Sequence, residues 1–372
     1  MSGGISGGIS GGISGGISGG ISGGISGGIS GGISGGISGG IAGAAGGAIA
    51  STDALTLSRA AIVGPFQGPT LKVKWPTFDD PANLKRWADG PRLAAIMSEL
   101  IEGLGYEADA KKRTASLRFA SGNKQHRLVS LHGPDEKLLK SQLKLVAAYA
   151  DLRPDRAIEV VEQMGFPVAF WGSVIGLTAH RHGKTLLLLD AAFSLAISVE
   201  QRFKQIFAIP RPVEYSPQIQ PMIPTPGHGS WPSGHATEAF IAATVLQALL
   251  NHGNPKGNGT ESREQLQRLA ARIAVNRTVA GVHYPVDSAV GRLLGTALGE
   301  YIVARAKTGS VHERGFHSAL FVEKDGAPMD FSLRAPMDHT SGHPYTRADK
   351  ANAVEPAPML AWLWKEAVGE WQ

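Results

Sequence analysis

Trp231-Pro232-Ser233-Gly234-His235, running on into Ala-Thr-Glu-Ala-Phe-Ile-Ala-Ala-Thr, marks a helix start and sets how the rest of the chain is read. Serine is a strong helix N-cap, so Ser233 predicts a helix over Gly234 to His252. Its hydroxyl, the first amides at Gly234 and His235, and the positive end of the helix dipole converge on one point that suits an anion. Glycine lets a ligand approach the backbone closely, and His235 adds a group able to exchange a proton near neutral pH.

Two other stretches carry matching chemistry. Upstream, Lys204-Gln-Ile-Phe-Ala-Ile-Pro210-Arg211-Pro212 fixes two cations where prolines end a helix. Downstream, in Asn276-Arg277-Thr-Val-Ala-Gly-Val-His283-Tyr284-Pro285-Val-Asp287, Pro285 suits the first turn of a helix and brings Asp287 within reach of the His283 ring. A carboxylate on one ring nitrogen leaves the other as a nucleophile or ligand. Arg277 offers a planar fork matched to tetrahedral oxyanions. Each stretch alone has a plainer explanation: solvated cations, a capped helix with an incidental histidine, a structural His–Asp pair. Together they supply what an anionic trigonal-bipyramidal centre requires.

Outward from these motifs, apolar residues at three- and four-residue spacing predict helices over Glu136 to Leu152, Pro154 to Met164, Lys184 to Phe207, Ser262 to Ala280, Pro285 to Lys307 and Pro358 to Trp371. The expected architecture is mainly α, a helical bundle in which residues 134–310 form the catalytic domain. Residues 51–133 read as a small α/β appendage, with strands at Leu71 to Trp75, Ala115 to Ala120 and Arg127 to His132 and a helix from Pro91 to Leu104. Residues 311–372 read as an irregular wrap, His312 to Glu355, with the last helix packing back on the bundle. In residues 1–50, Ser-Gly-Gly-Ile repeats from Ser2 to Ile41; half of each unit is glycine, whose backbone entropy opposes both helix and strand, so this tail is expected to be disordered.

The chain has 372 residues, 42% hydrophobic and 18% charged, which describes an ordinary globular protein. A net charge of +5 without a dense basic run selects no nucleic acid. The absence of cysteine excludes disulfides, thiolate nucleophiles and cysteine-bound zinc. Apolar runs fall short of a bilayer span, and no basic region followed by an apolar block opens the chain, so a soluble and cytoplasmic protein is expected. The oligomeric state stays open, a homo-oligomer included.

The pattern Lys-x6-Arg-Pro, then Pro-Ser-Gly-His, then Arg-x5-His-x3-Asp, over Lys204 to Asp287, resembles the type 2 phosphatidic acid phosphatase and vanadium haloperoxidase superfamily. Asn276 departs from it, standing where the family usually has serine. The resemblance implies that Lys204, Arg211 and Arg277 neutralise equatorial oxygens, that Ser233 and the Gly234 amide complete the cradle, and that His283 is the axial group. It leaves two chemistries open. In one, His283 binds vanadate as vanadium ligand and the enzyme oxidises halide, bromide or iodide, with hydrogen peroxide; Lys204 polarises the peroxide and His235 assists proton transfer. In the other, no cofactor is needed: His283 attacks a phosphoester to give a phosphohistidine, and His235 protonates the leaving alcohol. His228, seven residues before His235, resembles a bromoperoxidase position and favours the first; Trp231 joins it as a candidate for the halide pocket. Gly229 to His235 fits soluble acid phosphatases as well. A non-catalytic phosphate-binding scaffold is the third reading. Asp338-His339-Thr-Ser-Gly-His343-Pro344 has metal-like spacing but no helix to follow it, and His180 and His182 read as solvent-exposed loop residues.

Overall fold

The computed structural model describes residues 54–372 except 69–70, 166, 254–258 and 335–344. The repeat from Ser2 to Ile41 and the whole Asp338–Pro344 run therefore lie outside the described residues, and the N-terminal tail remains an expectation. The chain divides into two units, Met1–Ile96 and Met97–Gln372, with the division inside helix α1 (Asp89–Ile101), which follows a helical stretch over 54–62. Described residues of the first unit carry large apolar side chains in the open, Phe66, Leu71, Val73, Trp75 and Phe78 among them. The strand expected at Leu71 to Trp75 is absent, because its alternating apolar residues have no sheet partner to cover them.

The second unit is mostly helical with one small sheet. Strands β1 (Leu104–Asp109), β2 (Thr114–Ser121) and β3 (Lys124–His132) form an antiparallel meander. β4 (Ser310–His317) lies parallel to β3, with Leu131 opposite Phe316, and β5 (Thr346–Ala353) closes the order β1-β2-β3-β4-β5. This corrects the reading of His312 to Glu355 as wholly irregular. It also joins strands expected in a separate appendage to the far end of the chain, a pairing that local sequence cannot announce.

The helices are α2 (Glu136–Tyr149), α3 (Arg153–Glu162), α4 (Val168–Ile175), α5 (Gly183–Phe207), the short α6 (Pro212–Tyr215), α7 (Gly234–Gly253), α8 (Gly259–Val279), α9 (Pro285–Lys307) and α10 (Pro358–Gly369). α7 forms the centre: Phe240, Ile241, Val245 and Leu246 are sealed among Leu188, Leu189 and Leu195 of α5 and Leu293, Leu294 and Leu298 of α9. Gly291, Gly295 and Gly299, one turn apart on α9, permit the closest crossing. A Cβ at Gly295 would lie 2.2 Å from the Thr237 carbonyl oxygen. Backbone contact of this kind brings the first turns of α7 and α9 side by side, and the Ser233 amide donates to the Asp287 carbonyl at 3.0 Å.

α10 packs against α5 and α7, where Trp371 Nε1 donates to Thr185 Oγ1 and Trp364 Nε1 to His252 Nδ1. His182 is buried, stacked on Trp371 at 4.2 Å, and accepts from the Thr178 amide. That corrects its reading as an exposed loop residue; His180 is exposed. No helix among the described residues is long and apolar enough to cross a membrane.

Candidate functional site

Four elements meet at the paired starts of α7 and α9: the end of α5 with Lys204, the turn into α6 with Arg211, the end of α8 with Arg277, and the approach to α9 with His283. Ser233 caps α7, its Oγ accepting from the Ala236 amide at 3.4 Å and its carbonyl from Thr237 at 3.0 Å. The amides of Gly234 and His235 are left by helix geometry without intrahelical acceptors.

At α9, Asp287 folds back on the turn before it. Its Oδ2 accepts from His283 Nδ1 at 2.9 Å, from the Tyr284 amide at 3.1 Å and from the Ser230 hydroxyl. Nδ1 of His283 therefore carries the proton, and the lone pair of Nε2 faces Arg211 Nη1 at 3.1 Å. Burial, then the Arg211 and Lys204 charges, hold His283 well below the ordinary histidine range, so the ring is neutral. Burial lifts Asp287 to about 6 against the pull of its hydrogen bonds.

The three cations differ sharply in their partners. Lys204 directs its ammonium at the carbonyls of Gly229 and Ser230, both at 3.3 Å, and of Pro232, which accounts for its three donors. Arg211 donates to the carbonyls of Val282, His228 and Gly229 and faces both His283 and His228. Arg277 donates through one nitrogen, to the Val160 carbonyl at 2.9 Å and Gln163 Oε1 at 3.4 Å; its Nε and Nη1 are buried and without a partner. Burial lowers Lys204 to about 8 and Arg277 to about 10. His235 is pushed down to about 3 by burial and then by Arg277 and Lys204.

Three buried cations around one helix start give this centre a positive character. Residues 185–308 match the PAP2 superfamily. This stretch is a PAP2 superfamily domain. A vanadium-dependent bromoperoxidase from Ascophyllum nodosum is 28% identical over 150 residues, which are 33% of this chain and 27% of that protein. The chain thus spans little more than a quarter of the relative it matches.

Within the PAP2 domain, all the residues singled out by sequence, Lys204, Arg211, Ser233, Gly234, His235, Arg277, His283 and Asp287, stand at this junction. His228 has an exposed side chain whose Nδ1 lies 3.1 Å from Arg211, and partial desolvation of the ring, with the Lys204 and Arg211 charges, lowers its proton affinity. Trp231 differs from its expected place at a pocket mouth: it is fully buried and packs edge-on to Phe207 at 4.6 Å, because the chain turns inward ahead of α7. Sequence reasoning passed over Ser230, which bonds Asp287 and lies 3.4 Å from His283 Nδ1. It also missed Gln163, which accepts from Asn276 at 2.9 Å as well as from Arg277. Asn276 accepts in turn from Arg156 at 3.0 Å, so the departure from serine ties α8 to α3 beneath Arg277.

Proposed function

We propose that this protein is a vanadium-dependent haloperoxidase-like enzyme that oxidises bromide or iodide with hydrogen peroxide, with vanadate bound at His283 and residues 134–310 as its catalytic domain. The observation that carries the reading is Arg277: a permanently charged side chain, buried, with two donors unmatched beside a neutral, carboxylate-oriented imidazole. Leaving such groups unpaired is costly, and a tetrahedral oxyanion satisfies them. The donor set fits vanadate: one neutral imidazole nitrogen, one open guanidinium edge and the first amides of α7. Bound vanadate would supply a Lewis-acid centre that activates peroxide toward halide.

The residues divide the remaining work. Asp287 keeps the Nδ1 proton of His283 in place, so that Nε2 presents its lone pair. Arg211 Nη1, which faces that lone pair in the free site, would be available to an anion oxygen. Arg277 and the Gly234 amide would hold further oxygens. Lys204 lends positive charge from its carbonyl cage. His235, neutral in the free site, gains basicity as the anion offsets Arg277 and Lys204, and can then hold the proton that peroxide gives up. His228 lies beside Arg211 at the exposed side, where a halide would approach; the likeness to a bromoperoxidase favours this chemistry over its alternative.

That alternative is a phosphatase of the same superfamily, favoured by the same neutral His283 oriented by Asp287, which suits attack on phosphorus. Bromination of monochlorodimedone with vanadate and peroxide, set against hydrolysis of an aryl phosphate, separates the two. Vanadate-dependent bromination lost in His283→Ala is expected. Bromination that needs no vanadate, or that persists in His283→Ala, overturns the haloperoxidase reading. Aryl phosphate hydrolysis blocked by vanadate, without bromination, selects the phosphatase.

A further inference from the structure

Two carboxylic acids that none of these roles uses flank the cradle. Glu200, one turn before Lys204 on α5, is 3% exposed; its Oε1 lies against Gly234, 2.5 Å from where a Cβ would stand, and its Oε2 is buried with no partner. Only glycine at 234 leaves room for that carboxyl. Glu238, one turn beyond Gly234 on the same face of α7, is half-buried and feels both Lys204 and Arg277. Two acids thus stand at the point where the amides of α7 open toward an anion.

Two ionised carboxylates here, with Asp287, would offset the charges of Lys204, Arg211 and Arg277 and repel any incoming oxyanion. Neighbouring buried carboxyls avoid double ionisation by retaining a proton between them. Burial raises both acids, and the Glu238 charge raises Glu200 further. We propose that Glu200 and Glu238 act as a proton-binding pair that takes up a proton when a divalent oxyanion enters the cradle, and so sets the charge of anion the site accepts. The inference rests on the oxyanion reading above. The charges acting on the pair are Lys204 on the helix of Glu200, Arg211 from the turn into α6 and Arg277 on α8, with His235, His283 and Asp287 the other titratable groups of the same centre. α10 meets α5 at its other end, where Glu370 accepts from the Lys184 and Thr185 amides. The proton comes from solvent and is the second held by the pair, so its uptake leaves both carboxyls neutral, with an O–H that can donate toward the anion.

Calorimetric titration of the full chain with sodium sulfate, in two buffers of different ionisation enthalpy, counts the protons taken up. Sulfate keeps its charge across the range, so any proton belongs to the protein. We expect the wild-type chain to take up about one proton per sulfate near pH 7, following proton linkage. Glu200→Gln and Glu238→Gln, isosteric and checked for unchanged thermal midpoint, each bring the uptake toward zero and bind sulfate about tenfold more tightly at pH 8, the gain of about one pKa unit. Either variant suffices if the other fails to fold. Sulfate binding with no proton uptake, or with the same uptake in the variants, overturns the carboxyl pair and leaves the cradle standing. Failure of the wild-type chain to bind either sulfate or orthovanadate overturns both.

Discussion

Arg211 and Arg277 are both buried guanidinium groups at one centre, at 2% and 1% exposure, yet they are set in opposite ways. Arg211 is enclosed by carbonyls of three residues, Val282, His228 and Gly229, and binds the loop before α7 to the loop before α9. Arg277 leans on Val160 and Gln163 and keeps an edge unmatched. A guanidinium with all its donors engaged holds the loops together and meets an anion only by exchanging a partner, whereas one with donors left over is open to the anion at once. How many carbonyls the surrounding loops turn toward the side chain sets the balance between framework and ligand contact.

The contrast is broken or sharpened by replacing each arginine with methionine. Arg211→Met strands three carbonyl oxygens at about 1 kcal/mol or more apiece, so urea unfolding should show a loss on the order of 3 kcal/mol or more. Arg277→Met removes an uncompensated charge along with its bonds, so its stability should fall by about 1 kcal/mol or less while orthovanadate affinity falls about 100-fold. A less stable Arg277→Met than Arg211→Met, or an unchanged vanadate affinity, contradicts the division of roles.

The crossing of α7 and α9 that holds both arginines in register gives the next largest effect. Gly295→Ala places a methyl group against the Thr237 carbonyl and should cost about 1–3 kcal/mol in chemical denaturation and weaken vanadate binding. Gly369→Ala, where nothing lies within 4 Å, should stay within about 0.5 kcal/mol of the wild-type chain. Equal effects at the two positions would dissolve the claim that close backbone contact aligns the helix starts.

A pH-dependent effect, absent at neutral pH, appears in acid. His235 falls from an ordinary value of 6.5 to about 3 on folding, so its neutral form contributes stability above pH 6.5 that is lost as the pH falls toward 3. His235→Asn lacks that penalty. The stability difference should therefore shift in the variant's favour by up to about 1.4 kcal/mol for each pH unit between 6.5 and 4, measured without anion. Parallel curves for the two proteins would show that the histidine is not desolvated as described.

Much of the site was legible because its chemistry is local. Ser233 before an apolar run announces a capped helix, Pro285 sets the first turn of α9, and Asp287 stands four residues from His283, within reach along one turn. What escaped depends on partners distant in sequence. Ser230 meets His283 and Asp287 only once the two helix starts adjoin, and Gln163 reaches Asn276 across 113 positions. A signal for the acid pair was present: Glu200 and Glu238 are charges inside apolar helical runs, at turn spacing from Lys204 and Gly234. The sheet was half legible. β2 and β3 alternate in the expected way, whereas β4, with its charged sequence Ser310-Val-His-Glu-Arg-Gly-Phe-His317, is a strand because β3 lies alongside it. Leu71 to Trp75 shows the reverse, a good strand pattern with nothing to pair.

Equilibrium binding of orthovanadate to the wild-type chain and to His283→Ala tests the centre most directly. An equimolar complex in the wild-type chain, weakened about 100-fold or more in the variant, is the result expected if imidazole and guanidinium serve one anion. Equal binding by the two proteins would contradict it.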